Sequence, residues 1–328
     1  EGGFIMQDVH ETLLYIAFSM SSQGQIITVD AVRQPLKWLL CENIDPEKEM
    51  SQLVKDQFLL VNKAGEFTFT PLGEKEAWRI NKARARNDFD LLVARAANST
   101  AYLNYCADLY GYRMPLFNAM DKAQLDDLFN NHIISPGDTV LDLGCGSGCI
   151  LEHLVKKYFC RGIGIDQVNR TTVTRCSPLI SYIEGDIDAL ADYRISPTLT
   201  LAVDSLYFSN DLDGLIAELK AIPRNRLFLY WSQYIFDASK KDGRLLDGGH
   251  TRLAGILQKQ KLTYKVIDYS ANEYALYERA LQVLPKYKEA LTAEGNSDLY
   301  EKYLRESISG KEMYDQGRAS RHLYIVEA

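Results

Sequence analysis

Apolar residues in the second half of this chain cluster in short runs separated by turn residues and by longer stretches with helical spacing. The runs lie at 140–143, 162–165, 179–183, 199–203, 226–231, 263–269 and 321–327, and helical patterns fill 150–157, 211–220 and 249–259. Strands alternating with helices predict βαβ units and a parallel sheet with helices on its faces. The first 75 residues read differently. Helical patterns at 12–20, 29–40 and 47–57 precede two short strands, 58–61 and 66–70, joined through a polar turn that contains Gly65. Next comes a long helix from Glu74 to about Asn98 whose basic face, Arg79, Lys82, Arg84, Arg86 and Arg95, reads as a solvated linker surface. Tyr102, Tyr105, Tyr110 and Tyr112 follow, mostly as core with one or two free to reach a pocket, and then an amphipathic helix at 121–130. Between the last two strands lie about 50 residues, 270–320, with helical patterns at 272–284, 285–293 and 297–307. A connection that long needs a use, and over the carboxyl ends of the strands it would form a helical lid.

The most specific local feature sits at the end of the first strand of the alternating region. Val140-Leu-Asp-Leu-Gly-Cys-Gly-Ser-Gly148 places an aspartate two residues before three alternating glycines. Glycines at 144, 146 and 148 let the backbone turn tightly and approach a ligand closely, and the helix that follows points its N-terminal amides into the same crevice. A pyrophosphate-binding turn requires Gly-x-Gly-x-x-Gly. Here Cys149 occupies the third glycine's place, which favours a ligand without a pyrophosphate.

This segment resembles the first motif of the class I S-adenosylmethionine-dependent methyltransferases, and the next three strand ends extend the resemblance over about residues 139–210. Gly162-Ile-Gly-Ile-Asp166 puts a carboxylate about 20 residues past the glycines, where such folds hold ribose hydroxyls. The resemblance implies that Asp142 takes the cofactor's amino group, that Gly144, Cys145, Gly146 and Gly148 cradle it, and that Asp166 and Gln167 hold the ribose. Gly185 and Asp186 would then meet the adenine amino group, with Ile187 packed on the ring. Asp204 and Tyr207, in Asp204-Ser-Leu-Tyr-Phe208, would stand beside the reacting methyl as catalytic residues. Ser205, Tyr234, Glu273 and Tyr277 are weaker pocket candidates. His250, alone near a helix start, reads as structural.

Composition narrows the reading. The chain has 328 residues and a net charge of −7, with no apolar run near the length of a membrane span. Its six cysteines, at 41, 106, 145, 149, 160 and 176, lack paired metal-ligand spacing and read as reduced and structural, with no metal expected. The opening Glu1-Gly2-Gly3-Phe4 is left out of the fold. Cytoplasmic residence is the expectation.

Three helices and a hairpin closing in Thr70-Pro-Leu-Gly73 resemble a winged-helix domain, a fold that commonly binds DNA. Its first 75 residues, however, carry eleven acidic against six basic side chains, a surface that repels phosphates. Dimerisation or roofing of a substrate pocket fits better. Asp204-Ser-Leu-Tyr207 has neither proline of the base-specific amino methyltransferases, no cysteine lies there for cytosine-C5 chemistry, and no histidine follows as in plant-type O-methyltransferases. The expected architecture is thus α/β: a seven-stranded Rossmann-like methyltransferase sheet over 76–328 with a lid near 270–320, and a small winged-helix-like α+β domain over 8–75. The expected protein, a possible homodimer, methylates a small molecule with S-adenosylmethionine and binds neither nucleic acid nor membrane. The alternatives are an RNA or protein methyltransferase and a cofactor-sensing DNA-binding regulator.

Overall fold

The computed structural model describes residues 9–39, 41, 43–132, 134–167, 177–237 and 242–327. The first four residues and Cys176 lie outside the described residues. The amino-terminal unit contains α1 (Val9–Ser22), α2 (Val29–Trp38), α3 (Pro46–Lys55) and the antiparallel hairpin β1 (Leu59–Val61) and β2 (Phe67–Phe69). Each start carries its own signal. Thr28 caps α2 by accepting the Ala31 amide, and Asp45 caps α3 ahead of Pro46. An isolated bridge pairs Ile27 with Phe67, and Leu13, Ile16, Met20, Val32, Met50 and Leu59 form a core of the unit's own.

Thr70 caps α4 (Pro71–Asn98), which begins three residues before the sequence pattern suggests because Pro71 is preset for the first helical turn. After α4 come α5 (Thr100–Tyr110) and α6 (Lys122–Asn130). The sheet region then runs β3 (Thr139–Leu143), α7 (Cys149–Tyr158), β4 (Arg161–Asp166), β5 (Ile180–Glu184), β6 (Leu199–Val203), α8 (Leu212–Ala221), β7 (Arg226–Tyr234), α9 (Arg252–Lys259) and β8 (Tyr264–Asp268). It closes with α10 (Ser270–Val283), α11 (Lys288–Ala293), α12 (Ser297–Asp315) and β9 (Ala319–Val326). Helix α9 starts at Arg252, later than expected, because Thr251 is its cap.

The seven strands order as β5-β4-β3-β6-β7-β9-β8, parallel except for β9, which runs antiparallel to both neighbours. Strands β3 and β6 at the centre are buried at almost every position, apolar apart from Thr139, Asp142 and Thr200, as cover on both faces demands. One face packs against α5, α6, α7 and the helices α10–α12; the other packs against α8 and α9. Leu276, Val283, Leu284, Leu291 and Leu299 from the long connection belong to the same core as Val140 and Leu201 of the sheet. The segment is therefore a wall of the molecule. The tyrosine-rich stretch is core too: Tyr102 and Tyr105 are fully buried. No described helix is long and apolar enough to cross a membrane.

Candidate active site

The carboxyl ends of β3, β4 and β6 open onto a cavity of about 290 Å³, close to the lower end of the roughly 300–1,000 Å³ typical of small-molecule sites. Its floor is the glycine turn. The amides of Gly144 and Cys145 donate to the Ile165 carbonyl at 2.8 and 3.1 Å, which ties the turn to β4. Gly146 sits at φ +50° and its amide donates to the Asp166 carboxylate at 2.7 Å. A Cβ on Gly146 would meet nothing within 4 Å, whereas one on Gly148 would lie 2.3 Å from the Tyr182 hydroxyl. Gly148 is thus required by packing, and Gly146 opens the cavity.

Of the residues expected to bind a cofactor, Asp142, Gly144, Cys145, Gly146, Asp166, Gln167, Ile187 and Asp204 line this space. Gly148, Gly185 and Asp186 do not. Asp186 instead caps the turn at Ile187 and pairs with Lys82 of α4, which also reaches Asp188 at 2.9 Å. On the opposite wall run Pro115 to Ala119 and Val93. Phe117, stacked on Tyr102 with centroids 5.7 Å apart, reaches the cavity from the segment upstream of the sheet; none of the four upstream tyrosines lines it. His250 is exposed beside Asp247 and away from the site.

Asp204 is held at φ +52°, a conformation few residues other than glycine adopt. Its carboxylate accepts the Ala119 amide at 2.8 Å and both terminal nitrogens of Arg321, at 2.7 and 3.1 Å. Arg321 is fully buried and also donates to Gln124 and Ser232. Sequence reasoning passed over it. The signal was a lone charge between Ser320 and the apolar run of β9. Tyr207, also on the wall, packs on Trp231 and accepts the Ser232 amide through its hydroxyl; burial pushes that phenol far above its usual range.

Beyond Asp204 the wall turns to hydroxyls. Glu273 of α10 is completely buried yet lines the cavity, and accepts from Ser232, from Tyr277 at 3.1 Å, from Tyr234 at 3.4 Å and from Tyr314. Arg321 stands 3.9 Å away. Burial raises the Glu273 carboxyl above its ordinary value, against the pull of Arg321. Lys302 and Glu306 of α12 complete this side.

A family model described as methionine biosynthesis protein MetW matches residues 125–202, from α6 through β6. No curated protein matches the chain in sequence. Among solved structures, the cyclopropane synthase MmaA2 of Mycobacterium tuberculosis aligns with a TM-score of 0.56 at 12% identity, over 74% of this chain and 99% of its own. Phosphoethanolamine N-methyltransferase 2 of Haemonchus contortus, solved with phosphomonomethylethanolamine and S-adenosylhomocysteine, gives 0.56 at 12%, over 85% and 73%. The chain has the class I methyltransferase fold. The mycolic acid cyclopropane synthase CmaA1, complexed with S-adenosylhomocysteine, shares it at 0.54 and 12%, over 75% of this chain and 96% of its own. In this methyltransferase fold the cavity lies at the carboxyl ends of the strands, where open α/β sheets bind ligands.

Proposed function

We propose that this chain is an S-adenosylmethionine-dependent methyltransferase acting on a small molecule. The observation that carries the reading is one continuous cavity that joins the open turn at Gly146, the carboxylates of Asp142 and Asp166 and the face of Ile187 to Asp204. Those residues suit S-adenosylmethionine. Gly146 leaves room for a ligand against the backbone, the acidic lining complements an ammonium and a sulfonium, and the buried Ser205 hydroxyl on the wall has no partner among the described residues. Asp142 would take the amino group, with Gly144, Cys145 and Gly148 shaping the turn. Asp166 and Gln167 would hold the ribose. Ile187 would cover the adenine, while Gly185 and Asp186 act from the rim, where Lys82 fixes the Asp186 carboxylate.

The cofactor supplies a methyl already activated by the sulfonium, so the protein's work is to orient an acceptor and exclude water. Asp204, fixed by Arg321, shapes the wall where the acceptor enters, and Tyr207 braces it through Ser232. The helices α10–α12 serve as the lid over this end.

The amino-terminal unit fits a winged-helix reading in its order of helices and hairpin and in the Ile27–Phe67 bridge. Gln25 exchanges hydrogen bonds with Tyr234 and Phe236 at the end of β7, next to the cavity wall, which supports roofing of the pocket, in a cytoplasmic enzyme, over nucleic-acid binding. Calorimetric titration tests the central claim. Asp166→Ala is expected to weaken S-adenosylhomocysteine by at least about tenfold, roughly 1.4 kcal/mol, with the sheet still folded. Failure of the wild-type protein to bind either form of the cofactor would overturn the reading.

A further inference from the structure

Methylation of an N–H or O–H acceptor releases a proton, and three carboxylates line the far end of the cavity: Glu306, tied to the Lys302 ammonium at 3.2 Å, and the more deeply buried Asp204 and Glu273. Their partners differ in kind. Asp204 is bound by nitrogen donors alone: two from Arg321 and the amide of Ala119. A nitrogen donor cannot accept in return, so a proton on Asp204 would displace at least one of those bonds and neutralise the nearest counter-ion of buried Arg321. Glu273 is bound by hydroxyls: Ser232 and Tyr234 on β7, Tyr277 on α10 and Tyr314 on α12. Each hydroxyl donates to the carboxylate and can rotate to accept from the carboxylic acid. Glu273 can therefore gain and lose a proton while its shell stays satisfied.

We propose that Glu273 is the proton acceptor of the transfer reaction, reached directly or through the hydroxyls of Tyr234 and Tyr277 that line the same cavity. This rests on the methyltransferase reading above. The acceptor class follows from the charge. Asp204, Glu273 and Glu306 outnumber Arg321 and Lys302, which disfavours an anionic nucleophile and suits an acceptor that arrives with its proton, an amine or a hydroxyl. The acceptor's lone pair bonds to the methyl carbon, the carbon–sulfur bond breaks with its electron pair left on sulfur, and the acceptor's proton ends on Glu273. One sulfonium charge disappears as one carboxylate is neutralised, so the buried charge stays constant.

That coupling can be read without knowing the acceptor. The groups facing Glu273 are Ser232, Tyr234, Tyr277, Tyr314 and Arg321, with Asp204 and Tyr207 beyond Arg321 and Glu306 beyond Tyr277. A sulfonium nearby favours ionised Glu273, whereas the neutral thioether does not. Between the two resulting pKa values the thioether complex holds more protons. Calorimetry in buffers of differing ionisation enthalpy should thus find that S-adenosylhomocysteine takes up to about one more proton on binding than S-adenosylmethionine does. Glu273→Gln should abolish the difference. Tyr277→Phe, which removes one donor to the anion, should move its midpoint to higher pH and supplies the test if the Gln variant does not fold. Binding of both ligands with equal proton uptake, or a difference untouched by either substitution, would overturn the proposal and leave the methyltransferase reading standing. Binding of neither ligand would instead overturn the methyltransferase reading, and this proposal with it.

Discussion

Single residues divide the site into parts required by packing and parts left open for a ligand. Gly146 belongs to the second kind. A side chain there meets no protein atom but points into the cavity from a left-handed backbone. Gly146→Val is expected to lose S-adenosylhomocysteine binding in calorimetry and to cost about 1–3 kcal/mol of stability for the strained backbone, with the circular dichroism spectrum unchanged. Normal affinity in that variant would move the cofactor elsewhere. Arg321 belongs to the first kind. Its removal leaves the Asp204 carboxylate without its cation in a largely buried wall. Arg321→Met should lower unfolding free energy by about 3–5 kcal/mol in denaturant titration; a loss below about 1 kcal/mol would mean that the pair is not closed in solution.

At the scale of elements, the long connection between β8 and β9 does two jobs. Leu276, Leu284 and Leu299 anchor it in the core, while Glu273, Tyr277, Lys302 and Glu306 face the cavity. A ligand that fills the cavity should steady α10 and α12, which line it, more than α8 and α9, which do not. Hydrogen exchange is expected to slow across 272–307 on addition of S-adenosylhomocysteine, with a smaller change across 212–221. Uniform slowing over both regions would indicate global stabilisation only and remove the case for a lid. The linker helix α4 also has a second job. Lys82, read from sequence as part of a solvated basic face, ties α4 to Asp186 and Asp188 beside the cavity.

For the whole molecule, the decisive relation is how the amino-terminal unit meets the sheet. Residues 23–28 dock on the end of β7 through Gln23 and Gln25, and Arg84 of α4 reaches back to Thr12. An acidic unit held beside the cavity wall has little to offer a polyanion. Fluorescence anisotropy with mixed-sequence duplex DNA should give no binding at low salt, where a phosphate-driven contact would be strongest. Clear binding that weakens as salt rises would favour the regulator reading.

Local chemistry determined much of this protein. Short apolar runs located all seven strands of the sheet, because strands covered on both faces are buried at nearly every position, and period-3.6 patterns located most helices, which bury one face. The glycine turn with Asp142 and Asp166 was legible for a related reason: strand, turn and helix are contiguous, so a few adjacent residues specify the geometry. Boundaries shifted where a cap decided them, as at Thr70 and Thr251. Partnerships across the fold were not legible. Arg321 on Asp204, Tyr234 and Tyr314 on Glu273 and Lys82 on Asp186 join residues about 40 to 120 positions apart, and no local spacing encodes which of these groups meet once the sheet has folded. The upstream tyrosines went to the core and Phe117 to the cavity for the same reason. An aromatic's type is fixed by sequence, but its neighbours are fixed by the packing of α5 against α12 and the sheet.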